Sequence, residues 1–476
     1  MTDVQQMQPA WLAGAWKETA KSFPVVSPFS GEVVANVADC GEQEARLAAD
    51  QACQAFSEWR GQTAFARAEL LERWYQAMLA HDQEIARLMA QEMGKPVSEG
   101  LGEVRYAASF LRWFAEEAKR VAGEFLPSQS ARKRLWILKQ PVGPVYAITP
   151  WNFPAAMVTR KVAPALAAGC SVILKPAEES PLTALYLARL WAEVGGLPAA
   201  FQVLPASDPA PLSRVLMADS RIRKLTFTGS TEVGLMLYQE AAKTLKRVSL
   251  ELGGGAPVLV FDDADLDAAL SGVLTAKFRN VGQSCVAANR IYVQRDIYAA
   301  FSKRYAELAE QLKVGDPLRP ETQIGPLVSR QAVDKVKRHL EDALDRGATL
   351  LTGGRTEGLT VWPTVLADVP REALAVSEET FGPLAPLIPF GSEEEAVQLA
   401  NRGQAGLAAY VWTRDLRRTL LTSEALEFGI VGVNDGVPST ANAPFGGVKF
   451  SGLGREGGHE GIAEYLETKF VSIDLP

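Results

Sequence analysis

Cysteine and histidine are nearly absent from this 476-residue chain, at four and three residues. Cys40, Cys53, Cys170 and Cys285, with no Cys-x-x-Cys among them, cannot form the disulfide framework of a small stapled domain. His81, His339 and His459 are too few and too scattered for a zinc site. His81 and His339 fall in amphipathic helical patterns and read as surface residues, while His459 lies in a glycine-rich turn. A papain-like Cys-His pair is therefore disfavoured, and a reactive thiol here would need a carboxylate as its partner. No apolar run reaches the ~18 residues of a membrane span; the nearest, Val162 to Leu174, contains Pro164 and Gly169. The net charge of −7 and the lack of a dense Lys/Arg stripe argue against a nucleic-acid partner. Lys243–Arg247 reads as a solvated helix end. Met1–Gln6 has no basic segment before an apolar run, so a cytoplasmic protein is expected. Also missing is Gly-x-Gly-x-x-Gly after a strand, the usual dinucleotide fingerprint.

What remains is ordinary globular composition, 47% apolar and 22% charged, in a chain long enough for two or three domains. Residues 42–123 read as helices, including Glu42 to Trp59 and Ala64 to Met93. An alternation follows: strands at Val145–Thr149, Ser171–Lys175, Phe201–Leu204, Lys224–Thr228 and Val248–Leu250. Helices at Ala155–Ala168, Pro181–Val194, Leu212–Asp219 and Thr231–Thr244 separate them. This predicts a doubly wound parallel sheet whose ligands bind at the carboxyl ends of the strands. It restarts with Val258–Phe261, a helix over Leu266–Asn280, a strand at Ile291–Val293 and a helix over Tyr298–Leu312, so a second α/β domain is expected. Arg132–Lys139 and Thr468–Asp474 read as strands without a helical partner, free to pair with each other or with another subunit.

Five segments carry chemistry. Cys285 follows a helix end in Gly282-Gln283-Ser284-Cys285, and Glu251 opens Glu251-Leu252-Gly253-Gly254. A thiol becomes a nucleophile as the thiolate, and a buried Glu can act as a base near neutral pH. The competing readings are a buried Cys and a loop-capping Glu. Asn152, between two prolines in Pro150-Trp151-Asn152-Phe153-Pro154, suits a rigid oxyanion donor or a plain turn. Phe227-Thr228-Gly229-Ser230 runs from strand into helix, where a pyrophosphate can sit. Leu235 occupies the place of the P-loop lysine, which excludes a nucleotide triphosphatase. Lys175-Pro176-Ala177-Glu178 puts a carboxylate at a strand tip, suited to ribose hydroxyls or to a helix entry.

Together these segments resemble the aldehyde dehydrogenase superfamily over nearly the whole chain. Glu378-Glu379-Thr380-Phe381-Gly382-Pro383 and Pro444-Phe445-Gly446-Gly447 continue the likeness. The resemblance implies two doubly wound α/β domains with a small β oligomerisation element. Residues 1–122 and 143–252 would bind the dinucleotide, 253–460 would be catalytic, and 123–142 with 461–476 would join subunits into a homodimer or homotetramer. It implies Cys285 as nucleophile, Glu251 as base, and Asn152 with the Cys285 backbone N–H as the oxyanion site. Thr149, Pro150, Trp151, Lys175, Glu178, Gly229, Ser230, Leu252, Glu379 and Phe381 would hold the cofactor, NAD in preference to NADP because Glu178 would repel a 2′-phosphate. No metal is implied.

Within the superfamily, Asn152–Lys161, Lys277–Asn280 and Ser451–Gly457 resemble succinate-semialdehyde dehydrogenases. That likeness makes Arg160, Arg279 and Ser439 the ligands of a substrate carboxylate; the alternative makes both arginines surface helix residues. Ala287 stands where several relatives carry a second cysteine, and Pro438–Asn442 departs from the usual aliphatic loop. Glutarate semialdehyde or a small hydroxyaldehyde are therefore alternative substrates. A CoA-acylating enzyme would not need Glu251, a thiol hydrolase would not need the cofactor segments, and a non-catalytic homologue would not need all three of Asn152, Glu251 and Cys285.

Overall fold

A computed structural model describes residues 7–475; Met1–Gln6, and with them the reading of the N-terminal segment, lie outside the described residues, as does Pro476. The apolar runs of the first half form five parallel strands in the spatial order Phe201–Val203, Val172–Lys175, Val145–Ile148, Lys224–Thr228 and Arg247–Glu251. Val172–Lys175 and Lys224–Thr228 are buried at every residue, because helices cover both faces of the sheet. From Val145–Ile148 the chain moves outward through the Val172 and Phe201 strands, then returns to Lys224–Thr228 on the other side. That reversal is a topological switch point, a crevice that ligands use in such sheets. It opens between Thr149–Pro154, which follow one strand, and Gly229–Ser230, which follow the other.

Short antiparallel strands extend both edges of this sheet, Ala10–Leu12 and Ala15–Lys17 on one side and Gly452–Leu453 on the other. These pieces, and the hairpin Ser22–Val26 with Val33–Ala38, are too short or too mixed in polarity to show a period in the sequence. The second sheet has six parallel strands in the order Thr364–Ala367, Leu384–Phe390, Arg290–Gln294, Pro257–Val260, Ala408–Trp412 and Ile430–Val433. An antiparallel strand, Thr349–Thr352, closes one edge. The mixed α/β expectation holds. The two unaccompanied strands pair with each other: Leu466–Asp474 lies antiparallel to Lys133–Pro141, which also pairs with Glu124–Leu126.

Helices cover Glu42–Trp59, Ala64–Ala80, Asp82–Met93 and Val97–Ala118. The period read from Ala64 to Met93 is interrupted at His81, whose φ of −112° and ψ of 21° leave the helical region. Gly94, at φ 78°, ends the next helix with a left-handed cap, and Lys95-Pro96 then starts Val97–Ala118. Trp59 and Trp74 both pack on Trp191, with ring centroids 5.8 and 5.3 Å apart.

Three expectations are corrected. His339 is fully buried, with its ring nitrogens beside Thr380 Oγ1 at 3.1 Å and Glu378 Oε2 at 3.2 Å. Its helix, Arg330–Asp345, packs that face onto the Glu378–Thr380 turn, which periodicity alone does not reveal. Lys246 is not solvated: its ammonium donates to the Asp219 carbonyl at 2.6 Å and the Ile222 carbonyl at 2.7 Å. The helix expected over Leu266–Asn280 stops at Phe278, and a tight turn over Arg279–Gly282 follows. No helix among the described residues is long and apolar enough to cross a membrane.

Candidate active site

The turn that ends this helix aims the nucleophile segment. Asn280 and Val281 both have positive φ, 52° and 59°. For a β-branched residue that conformation is strained and persists only where its surroundings impose it. Here the Asn280 amide group donates to the carbonyls of Asn152 and Gln283, each at 3.0 Å, and the Asn280 backbone N–H donates to Glu99 Oε2 at 2.7 Å. Gln283 Oε1 accepts from the Val328 N–H at 3.0 Å. Cys285 emerges from this braced turn. The turn after Glu251 crosses its backbone so closely that a Cβ on Gly254 would lie 2.0 Å from the Cys285 carbonyl oxygen. A Cβ on Gly282 would likewise lie 2.4 Å from the Gly382 carbonyl, so the three segments meet with only glycine between them.

Asn152 follows the central strand of the first sheet. Its side-chain Nδ2 donates one N–H to the Gln283 carbonyl at 3.1 Å, which fixes the amide beside the Cys285 segment and leaves the second N–H over. Its backbone carbonyl accepts from Lys95 Nζ at 2.7 Å as well as from Asn280. Lys95 also forms a buried ion pair with Glu103 and lies 3.9 Å from the centre of the Phe153 ring. Glu103 Oε1 accepts the backbone N–H groups of Ala155 at 2.9 Å and Ala156 at 3.2 Å.

Glu251 is the last residue of its strand rather than part of the glycine turn, paired in register with Thr228. It is buried, and its Oε2 has no hydrogen-bond partner among the described residues. Burial raises its pKa, as does neighbouring Glu456, against the opposing charges of Arg160 and Lys161. Glu456 pairs with both cations: Arg160 Nη2 lies 2.8 Å from Glu456 Oε2, and Lys161 Nζ meets Glu456 Oε1. Burial alone would raise the Glu456 pKa; those two cations hold it below the usual range. Burial pushes the Cys285 thiol up to about 12; Arg160 lowers it, while Glu379 and Glu251 raise it further. A carboxyl group shifted toward neutrality beside a thiol is the arrangement expected of a base and a nucleophile.

The residues expected to hold a cofactor gather at the switch point. Thr149, Pro150 and Trp151 leave one strand there, and Gly229 leads into Ser230, whose hydroxyl caps Thr231–Ala242 by accepting from the Val233 N–H at 3.3 Å. Leu252 follows Glu251 and is buried against Gly234 of that helix. Phe381, at φ 54°, meets the Trp151 ring edge-to-face at 5.7 Å. Glu379 Oε1 accepts the Gly254 N–H at 3.0 Å, and burial pushes its carboxyl up to about 7. Glu379, Thr231, Gly253 and Phe450 line a cavity of about 570 Å³. Glu178 is half exposed and pairs with Lys175 Nζ at 2.7 Å.

The expected carboxylate ligands are brought together, in unequal settings. Arg160 is not a surface residue: it is 2% exposed and stacks on Phe445 at 3.8 Å, and its Nε has no partner among the described residues. Burial works against its charge, and Glu456 more than restores it. Arg279 is partly exposed beside the Phe153 ring at 5.5 Å. Tyr106, which the sequence did not single out, has a buried hydroxyl without a well-aligned partner. Burial raises its pKa, while the charges of Arg160 and Arg279 and the side chain of Ser439 oppose that rise; its ring meets Phe110 at 5.0 Å, and the Arg160 guanidinium lies 5.8 Å from that ring. Lys95, Glu99, Glu103, Lys161 and Glu456 also carried no assigned role. The one sequence signal for them was Gly94-Lys95-Pro96, a charged residue between a helix stop and a helix start.

Known proteins share this arrangement of segments. The chain matches the aldehyde dehydrogenase family over residues 16–471. It is 48% identical to the glutarate-semialdehyde dehydrogenase of Pseudomonas putida over 471 residues, 98% of each chain. It is 48% identical to the NADP(+) succinate-semialdehyde dehydrogenase of Escherichia coli over 473 residues, again 98% of each. The solved aldehyde dehydrogenase of Brucella melitensis superposes with a TM-score of 0.98 at 47% identity, covering 100% of this chain and 99% of that one.

The environment of Cys285 sets its reactivity with pH. Iodoacetamide alkylation of the cofactor-free protein should climb without a plateau from about pH 7 to about pH 9.5, past the ordinary thiol value of about 8.5. A rate that levels off below about pH 8 would show a stabilised thiolate instead.

Proposed function

The chain belongs to the aldehyde dehydrogenase family, and we propose that it oxidises succinate semialdehyde to succinate through a covalent thioester on Cys285. One observation carries this reading: the buried Arg160 Nε and Tyr106 hydroxyl both lack a hydrogen-bond partner among the described residues, and both side chains pack on Phe110, at 5.8 and 5.0 Å. Such donors suit the acid group at the far end of a short aldehyde whose carbonyl lies at Cys285. Glutarate semialdehyde, one methylene longer, is the alternative, supported by the name of a relative of equal identity.

In the first step Cys285 passes its thiol proton to the Glu251 carboxylate, which releases it to solvent, while the sulfur bonds to the aldehyde carbon and the carbonyl electron pair moves to oxygen. The uncommitted Asn152 N–H and the Cys285 backbone N–H donate to that oxyanion. Aldehyde dehydrogenases use NAD(P), and the residues fit such a group. A capped helix N-terminus lies at the switch point, and Glu379 engages one oxygen with Gly254 while lining the adjoining cavity. Thr149, Pro150, Trp151, Lys175, Glu178, Gly229, Ser230, Leu252, Glu379 and Phe381 would hold it, and when bound its oxidised nicotinamide accepts the hydride released from the tetrahedral carbon. The carbonyl re-forms as a thioester. Glu251, made more basic by burial, takes a proton from water as the water oxygen attacks the acyl carbon, and the Cys285 sulfur departs with its electron pair. Arg279, Ser439 and the Tyr106 hydroxyl, with Arg160, hold the distal carboxylate. Exposed Phe125 and Leu138, on one face of the three-stranded sheet, support assembly of copies through that face.

Three measurements test this reading. Cys285→Ala should abolish turnover, and Glu251→Gln should give a single burst of reduced cofactor and then stall; steady turnover in either variant overturns the mechanism. Arg279→Ala should lose about ten- to a hundredfold in kcat/KM for succinate semialdehyde, the worth of a charge-assisted contact of about 1.5–3 kcal/mol. A neutral aldehyde of equal length should be nearly unaffected, and equal losses would reassign the arginine to structure. Finally, the Glu178 carboxylate would repel a 2′-phosphate, tempered by Lys175, so NAD should outperform NADP and Glu178→Ser should narrow the ratio. A wild-type preference for NADP, as in the name of the Escherichia coli relative, would place Glu178 away from the ribose.

A further inference from the structure

The residues at the start of the helix Val97–Ala118 touch none of the proposed reacting atoms. Three ionisable side chains from its first two turns and the preceding turn nonetheless reach both loops of the site. Lys95 Nζ donates to the Asn152 carbonyl at 2.7 Å, and Glu103 Oε1 accepts from Ala155 and Ala156, just beyond it. Glu99 Oε2 accepts from the Asn280 N–H at 2.7 Å, on the other loop. Asn280 then closes the circuit by donating to the Asn152 and Gln283 carbonyls.

These bonds have little reason to exist as stabilisers alone. An isolated buried ion pair is often no better for stability than apolar side chains of the same size. Yet Lys95 and Glu103 are each about 1% exposed, and between them they contact the backbone of Asn152, Ala155 and Ala156 plus an aromatic ring. Glu99 engages Asn280, a non-glycine residue at positive φ and the point where the Cys285 segment leaves its helix. That acceptor is one of three hydrogen bonds that hold Asn280, and beside it Val281, in a strained conformation.

The geometry points to Lys95, Glu99 and Glu103 as a clamp that sets the Asn152 amide against the Cys285 segment, so that they are positioning residues for oxyanion formation. The inference rests on the proposed roles of Asn152 and Cys285. It assigns to this helix a catalytic consequence separate from substrate affinity and from thiol reactivity. Misplacement of a reacting group by about 1 Å can cost on the order of a hundredfold in rate, even when the cause lies away from the chemistry.

The test uses Glu99→Ala, Glu99→Gln, and the double variant Lys95→Met with Glu103→Gln, each in the full-length protein. The double variant avoids stranding a buried charge and keeps an amide oxygen for Ala155 and Ala156. Glu99→Gln keeps an acceptor for Asn280. In Glu99→Ala and the double variant, the single-turnover rate of cofactor reduction should fall about ten- to a hundredfold. KM, the thermal midpoint and the rate of Cys285 alkylation should each stay close to wild type. Glu99→Gln should recover most of the lost rate. Wild-type turnover rates in both variants would overturn the clamp, and so would losses that merely follow the unfolded fraction or are not recovered by Glu99→Gln. Cys285→Ala, run alongside, separates the two ideas: activity in that variant removes the thioester reading itself, whereas an inactive Cys285→Ala with fully active clamp variants removes only the clamp.

Discussion

The backbone carbonyl of Asn152 accepts hydrogen bonds from Lys95 and from Asn280, and through it the two α/β units are fastened at the point where their active loops meet. One donor comes from the helical layer over the first sheet, the other from the turn that leads to Cys285. A carbonyl has two lone pairs, and here both are used by buried donors from opposite sides. The peptide after Asn152 therefore has one orientation. The side-chain amide inherits it, since Nδ2 is committed to the Gln283 carbonyl on the same side. Pro150 and Pro154 restrict the chain around it further. Rigidity at this place is thus an outcome of a few named bonds, not of a loop sequence alone.

Electrostatics in the site follow from how few water molecules can reach it and how many charges it contains. Glu456 sits against Arg160 and Lys161, so one carboxylate faces two cations, and Glu251 lies close enough to feel all three. At about 4 Å, two charges interact by roughly 4 kcal/mol in a protein-like dielectric, enough to move a pKa by several units. For Glu456 the cations win and the carboxyl stays ionised. For Glu251 and Cys285 burial wins, because neither has an ion-pair partner of its own. The same guanidinium therefore has two influences: it keeps Glu456 charged and tempers, without reversing, the rise of the Cys285 thiol.

How much of this could be read from the chain depends on whether a residue's partners are local. The five parallel strands of the first sheet were legible because continuous apolar runs bounded by turns leave few other folds. Gly229–Ser230 was legible as a helix entry for the same local reason, and the structure does place a Ser230 cap there. Short edge strands were not legible, because three residues show no period. His339 was misread because amphipathic spacing says which residues share a helix face, not what packs on it. Beyond the placing of Lys95 between Gly94 and Pro96, nothing local marks Lys95, Glu99 and Glu103: charged residues at a helix start look solvated unless the 52–181 residues separating them from their partners are known to fold back. Tyr106 is the same case, since its hydroxyl gains meaning only from Arg160, Arg279 and Ser439. Composition gives no hint of the strain at Asn280 and Val281, which comes from the bonds that surround them.

Burial raises the pKa of both Glu251 and Cys285, and an ionised Glu251 raises that of Cys285 further. Burial penalises a second anion in one pocket more than a first. The pocket thus favours a single negative charge shared between them. Moving a proton from the Cys285 sulfur to the Glu251 carboxylate relocates that charge without adding to it, so the cost of desolvating an anion is not incurred twice. Once the sulfur is bound to an acyl carbon it can no longer be an anion, and the carboxylate becomes the only one of the pair able to ionise. Once it has released the thiol proton to solvent, burial and neighbouring Glu456 keep it basic, which is the condition under which it can take a proton from water. The order of roles assigned to these two residues is therefore set by the pocket's tolerance for one charge, independently of the strength of either group alone.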